Sequence, residues 1–194
     1  KANLSKRNFR ESIVPYLLRN KAVSLPNQVW SIDITYIKMQ HSHMYLTAII
    51  DWYSRMIVGW NLSDTLDTIY VIQAVKDAVA AHGTPAILNS DQGCQFTSNA
   101  YKTLLRELRI RQSMDGESRW ADNVMIERWF RSLKTEEIYL NEYPTPRALR
   151  KAISVYIQQY NTVRPHQALG YETPEAVYRS CFASPTADLD SLVL

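Results

Sequence analysis

An aspartate stands in the middle of the most strand-like run of this chain. Val29-Trp30-Ser31-Ile32-Asp33-Ile34-Thr35-Tyr36-Ile37 is dense in β-branched and aromatic residues and reads as a strand of a buried sheet. A carboxylate in such a strand is costly unless it is paired or bound to a metal. Asp33 therefore needs a reason to be there, and a cationic partner would supply one. Two further acids are placed to share that role. Asp91 ends the short apolar run Ala86-Ile87-Leu88-Asn89-Ser90 and precedes Gly93, at the carboxyl edge of a strand, where open α/β sheets bind ligands. Glu127 follows after an interval of 35 residues. Three convergent carboxylates holding divalent cations would account for Asp33.

The periodicity supplies the frame. Residues 29–38, 44–50 and 55–62 read as antiparallel strands, because their connections are too short for a crossover. A helix over 66–82 carries Ile69, Ile72, Val75 and Val79 on one stripe and ends at His82-Gly83, with Pro85 beyond. A strand at 86–90 returns beside the first, a helix follows over 98–108, and a short strand lies near 110–114. The order βββαβαβα predicts an α/β protein of ribonuclease-H-like arrangement, a mixed five-stranded sheet flanked by helices. Pro146–Tyr160 reads as a further amphipathic helix, Arg164-Pro165-His166 breaks it, and Pro174–Arg179 forms a short helix.

The helix bearing Glu127 follows the polar loop that starts at Asp115-Gly116-Glu117-Ser118, and Asp122 is placed to cap it. At about 100° per residue, Asn123, Glu127, Arg131 and Lys134 share one side, while Met125, Ile126, Trp129, Phe130 and Leu133 share the other. Asp51 also ends an apolar strand, yet Trp52-Tyr53-Ser54 makes it a natural turn residue. Trp120, beside Arg119 in the polar loop, is the aromatic most suited to a base contact.

Charge is unevenly spread. Residues 1–28 carry Lys1, Lys6, Arg7, Arg10, Arg19 and Lys21 against Glu11, a net +5, so a whole-chain charge of +3 leaves −2 for residues 29–194. A basic arm of this kind suits a polyanion, and Lys6, Arg7 and Arg10 are its candidate contacts. The domain reading is a basic arm over 1–28, a catalytic core over 29–161 and a C-terminal extension with a tail over 162–194. Cys94 and Cys181 form neither a disulfide framework nor a CxxC metal pair. No run approaches the ~20 apolar residues of a membrane helix, and no leader is evident, so the expected location is the cytoplasm. The chain opens on Lys rather than Met, which reads as part of a longer or processed protein.

Five segments together resemble one family: Trp30-Ser31-Ile32-Asp33-Ile34-Thr35-Tyr36, Asp51-Trp52-Tyr53-Ser54-Arg55, Ser90-Asp91-Gln92-Gly93-Cys94-Gln95-Phe96-Thr97-Ser98, Asp122-Asn123-Val124-Met125-Ile126-Glu127 and Tyr160-Asn161-Thr162-Val163-Arg164-Pro165-His166. They look like the catalytic domain of bacterial insertion-sequence transposases of the DDE type, relatives of retroviral integrases. Two small departures are Asn89 before Ser90, where many relatives carry His, and Cys94, where the residue is often small and polar. The resemblance implies Asp33, Asp91 and Glu127 as catalytic and metal-binding acids, and two magnesium ions for which manganese substitutes. It implies cleavage of transposon ends and transfer of their 3′-hydroxyls to a target phosphodiester, by a homo-oligomer assembled on DNA, and it implies a bacterium and its nucleoid as the setting. Lys134 would then approach the phosphate beside the scissile bond, with Asn123, Arg131, Arg164 and His166 as further DNA contacts. A water-only ribonuclease-H-like nuclease and a non-catalytic DNA-binding domain are the rival readings.

Overall fold

A computed structural model describes residues 14–40, 42–115 and 123–183. Its five strands run in the order β3-β2-β1-β4-β5, with β1 (Val29–Lys38) central. β2 (His43–Asp51) pairs antiparallel with β1, and β3 (Ile57–Ser63) with β2, as their short connections require. β4 (Ile87–Ser90) and β5 (Arg111–Met114) add in parallel on the other side. This is the ribonuclease-H-like arrangement that the element order predicts.

Alternation along the strands assigns the two faces. Trp30 and Ile32 of β1 and Ile49 of β2 pack against α1 (Thr68–His82) and α3 (Asn99–Glu107), through Val71, Ala74, Val75, Ala78, Leu104 and Leu105. Ile37, Leu46, Ala48 and Ile50 face α4 (Val124–Glu136) and α5 (Pro146–Thr162), meeting Ile126, Trp129, Phe130, Leu133, Leu149 and Ile153. Each such fully buried side chain contributes roughly 1.5–3 kcal/mol. α1 lies very close to the sheet: a Cβ on Gly59 would stand 2.7 Å from the Ala78 Cβ and 3.1 Å from the Ala74 carbonyl oxygen.

The exposed edge of the sheet is covered. Among the described residues β3 has no strand beyond it, and α5 meets its free backbone: the Asn161 side chain accepts from the Ile57 N–H at 3.0 Å and donates to the Ile57 carbonyl at 2.9 Å, while Arg150 donates to the Leu62 carbonyl. These bonds remove donors and acceptors that could otherwise pair with another chain.

Helix ends follow local chemistry. Thr145 caps α5 through the Ala148 N–H with Pro146 in the first turn, Ser98 caps α3 through the Tyr101 N–H, and Gly83 closes α1 at φ 83°. Three elements differ from the expectations. Cys94–Thr97 forms a separate one-turn helix, α2, divided from α3 by Ser98 in an extended conformation (ψ 148°). The last helix, α6, extends over Pro174–Ala183, and its Tyr178 hydroxyl donates to Asn27 Oδ1 at 2.9 Å, tying it to the α1 side of the sheet. Within the segment read as a basic arm, Leu18 is buried against Val29 and Ile87, and the Leu17 N–H donates to the Ser113 hydroxyl at 3.1 Å. That stretch carries its own apolar residues, and they cover the part of the sheet around β4 that α4 and α5 leave open. Lys6, Arg7 and Arg10, Arg119, Trp120, Asp122 and the tail from 184 lie outside the described residues.

Candidate active site

β1 changes environment at Asp33. Its parallel ladder with β4 joins Val29 to Ile87, Trp30 to Leu88 and Ser31 to Asn89, a constant offset of 58 positions (87 − 29), and then stops. Carried two residues further, the same register sets Asp33 beside Asp91, where β4 turns away. The loss of β4 leaves the second half of β1 paired with β2 alone and half-open to solvent. Asp33 shares the odd-numbered face of β1 with Thr35 and Ile37, the face that looks toward α4.

A cleft of about 330 Å³ lies there, lined by Asp33, Thr35, Glu127, Arg131, Lys134 and Tyr139 among others. Burial pushes the Asp33 carboxyl up to about 7, and the charges of Asp91, Glu127 and Asp115 add to the rise. The Ile34 N–H, donating to Asp33 Oδ1 at 2.7 Å, offsets only part of this. Four carboxylates thus act on one spot. Glu127 and Asp91 are exposed, and among the described residues no three Asp, Glu, His or Cys side chains stand close enough together to grip a metal ion as they are.

Asp91 is held by its own turn. Its Oδ1 accepts from the Gly93 N–H at 2.9 Å, and a Cβ on Gly93 would lie 2.9 Å from that same oxygen. An added Cβ would press on the Asp91 carboxylate, an exposed side chain that can give way, so glycine there leaves that carboxylate its room rather than serving an unusual backbone angle. Asn89 is wholly buried and donates through Nδ2 to Asp115 Oδ1 at 2.7 Å, so this chain's departure before Ser90 serves to fix a fourth acid at the sheet edge.

Lys134 sits where the α4 spacing sends it. Its ammonium lies 5.0 Å from the centre of the Tyr36 ring; burial lowers its pKa, and the nearby Asp33 charge works against that. Beyond it a second cavity of about 890 Å³ continues between β1 and the end of α4, and Lys134, Tyr36 and Tyr139 line it. Arg131 is exposed on the same side of the helix.

Asn123 departs from the face expected for it: it is 5% exposed and its Oδ1 has no hydrogen-bond partner among the described residues. It occupies the cap position with φ −117° and ψ 13°, outside the regular helix, so the 100° step does not carry back to it. Arg164 and His166 lie away from Asp33, beside the outer side of α4, with Arg164 paired to Glu136 at 2.7 Å. Asp51 is the turn residue that its neighbours suggest: fully buried, it accepts from the Asn27 and Ser54 N–H groups, each at 2.8 Å, and from the Ser54 hydroxyl at 2.7 Å.

Sequence reasoning missed Asp115 and Tyr139. Asp115 follows the last residue of β5 as Asp91 follows the last of β4, a signal that was there to use. Tyr139 lies in a one-turn helix (Ile138–Leu140) just past α4, where periodicity assigns no face.

The integrase core domain family matches residues 23–119, and a second integrase core domain family matches residues 108–174. This chain belongs to the integrase core domain family. Among relatives of this integrase core, the transposase for insertion sequence element IS904 of Lactococcus lactis subsp. lactis (strain IL1403) is 36% identical over 153 residues, covering 77% of this chain and 60% of the relative. Transposase InsF for insertion sequence IS3A of Escherichia coli (strain K12) is 32% identical over 153 residues, covering 77% of this chain and 53% of the relative. The integrase core described here therefore spans little more than half the length of these relatives. Its fold is that of solved retroviral cores: the simian T-cell lymphotropic virus intasome in complex with PP2A regulatory subunit B56 gamma (TM-score 0.75, 20% identity, 94% of this chain and 64% of the other), and the HTLV-2 integrase catalytic core domain in complex with magnesium (TM-score 0.68, 20% identity, 81% and 99%). Among the described residues no helix is long and apolar enough to cross a membrane.

Proposed function

We propose that this chain is the catalytic core of an insertion-sequence transposase, a metal-dependent polynucleotidyl transferase that cuts transposon ends and joins their 3′-hydroxyls to a target phosphodiester. The observation that carries the proposal is Asp33: a half-buried carboxyl raised to about 7, at the point where β4 leaves β1, with Asp91 and Glu127 acting on it. Such a group is ill-suited to a packed core and well-suited to receive a cation.

The donors fit magnesium. All are carboxylate oxygens, with no thiol or imidazole among them, and hard divalent cations take oxygen ligands. Asp33, Asp91 and Glu127 would hold the ions; Glu127 is exposed and its side chain can turn toward Asp33, while Asp91, exposed with Oδ1 on the Gly93 N–H, can offer Oδ2. Bound divalent ions supply an acidified water or 3′-hydroxyl and charge compensation on the phosphate, and manganese would substitute for magnesium. The chain's own residues do the rest. With its carboxyl raised to about 7, Asp33 is only partly ionised near pH 7 in the free chain and would have to release its proton to serve as a ligand, so metal affinity should climb as pH rises through about 7. Lys134, steadied over the Tyr36 ring, reaches the phosphate beside the scissile bond, and Arg131 extends the same cationic track. In the joining step a new P–O bond forms to the incoming 3′-oxygen as the target P–O bond breaks; the attacking hydroxyl gives its proton to solvent and the departing 3′-oxygen takes one up, leaving a free target 3′-hydroxyl.

The names of the transposase relatives support DNA as the substrate, and retroviral cores solved as dimers and trimers support a homo-oligomer on DNA. The deciding experiment is a joining assay with pre-cut labelled ends in magnesium. Joined products from wild type and none from Asp33→Asn support a transposase. Cleavage to water alone would make the chain a plain nuclease, and binding without either reaction would make it a DNA-binding domain.

A further inference from the structure

Away from the carboxylates, on the outer side of α4, lies a pocket of about 370 Å³ that the chemistry above does not use. It is lined by Arg55 from the β2–β3 turn, Arg128, Trp129 and Glu136 from α4, and Arg164 and His166 from the segment after α5. Two of its lining residues hold a buried polar atom that finds no hydrogen-bond partner among the described residues, the Trp129 indole Nε1 and the His166 Nε2. Trp129 is 2% exposed, so its N–H, a donor only, cannot turn to solvent. A buried donor left unpaired costs about 1–3 kcal/mol and calls for an explanation.

The charges around it are strongly biased. Three guanidinium groups face one carboxylate, Glu136, which Arg164 pairs at 2.7 Å and to which the Tyr156 hydroxyl donates at 3.0 Å. The His166 ring stands edge-on to Tyr160 with centroids 4.7 Å apart. Burial holds the His166 pKa below its ordinary value, and Arg164 and Arg55 both push it lower, so these cations converge on one imidazole; the Tyr160 backbone opposes them. Arg55 is fixed in place by a left-handed backbone (φ 62°) and by its carbonyl, which accepts from the Tyr160 hydroxyl at 3.2 Å. Clustered cations beside an indole N–H that lacks an acceptor among the described residues make a site for an oxyanion.

We propose that this pocket binds a phosphate group of the DNA backbone, with Trp129 Nε1–H as the inner donor and Arg55, Arg128 and Arg164 supplying the charge. The proposal rests on the reading of the chain as a DNA-processing core and adds a second anchor to it. Arg128 follows Glu127 in sequence and Lys134 is six residues on, a rise of about 9 Å along α4. One helix thus presents the reacting site on one side and this anchor on the next, so a bound strand could be held at two points.

The test is direct because the unpaired indole N–H is a reporter. In the ¹H–¹⁵N spectrum of the full chain, with Trp129→Phe identifying the resonance, inorganic phosphate should shift the Trp129 indole signal downfield and saturably. A short non-specific duplex should move the same signal and displace phosphate. Arg55→Gln with Arg128→Gln should abolish both shifts and weaken duplex binding about tenfold, while the spectrum remains that of a folded chain. The same double variant should flatten the log–log salt dependence of duplex binding by about 0.9, the value of one phosphate no longer neutralised. An indole signal indifferent to both ligands overturns the proposal. So does a response to inorganic phosphate with none to duplex and an unchanged salt slope, since the pocket would then hold a small free anion. If wild type joins ends while the reporter stays still, only the second anchor fails; if the chain neither binds duplex nor joins ends, the transposase reading fails with it.

Discussion

The two halves of β1 are one strand in two environments. Trp30 and Ser31 are paired on both sides, β2 on one and β4 on the other, and every residue from Val29 to Ile32 is buried. From Asp33 onward only β2 remains, and Tyr36 is 62% exposed. The first half holds the molecule together; the second holds a carboxylate that a closed sheet would not tolerate. What separates them is where β4 ends. A parallel strand four residues long brings Asp91 to the sheet edge and then departs, which opens the space that Asp33, Glu127 and Lys134 share.

If that division is real, substitutions on either side of it should fail in different ways. Asp33→Asn should lower end joining roughly a thousandfold with the fold intact; joining within tenfold of wild type would remove Asp33 from the site. Ile32→Ala, one residue earlier and wholly buried, should cost about 2–5 kcal/mol of stability, seen as a lower midpoint in urea, while the protein that remains folded joins ends normally. Gly93→Ala should push the Asp91 carboxylate from its turn and slow joining about ten- to a hundredfold, at little cost in melting temperature.

Protonation sharpens the comparison. Because burial raises Asp33 from 3.8 to about 7 in the fold, its contribution to stability is full below pH 3.8, is lost as pH rises toward 7, and is absent above that. Metal-free Asp33→Asn should therefore be more stable than wild type at pH 8, by about 1–3 kcal/mol, and the gap should close toward pH 4. Saturating magnesium should narrow the gap at pH 8 by stabilising wild type alone. A gap that is the same at both pH values would show that Asp33 is not under strain. The smallest effect belongs to Tyr36→Ala: an exposed residue on the open half should change stability by less than about 0.5 kcal/mol, while removing the ring under Lys134 should weaken duplex binding by about 0.5–1 kcal/mol.

The amino-acid sequence by itself determined which segments become strands and helices, that Asp33 breaks an otherwise buried strand, and that Glu127, Arg131 and Lys134 share one side of α4. These properties are local: the two-residue and 3.6-residue periods fix which side chains share a face, and Gly, Pro, Ser and Thr fix where elements stop. Only the tertiary structure decided what those faces meet. The burial of Asn123, the seating of Leu17 and Leu18 on the sheet, the position of Asp115 beside Asp33, and the gathering of Arg55, Arg128 and Arg164 around Trp129 and His166 all join residues from separate elements. Arg55 and Arg164 are more than one hundred positions apart, and no period in the chain relates them. They meet because α5 must lie against the edge of β3 to satisfy its free backbone, and that docking, made by Asn161 at one end and Arg150 at the other, carries the segment after α5 to the β2–β3 turn.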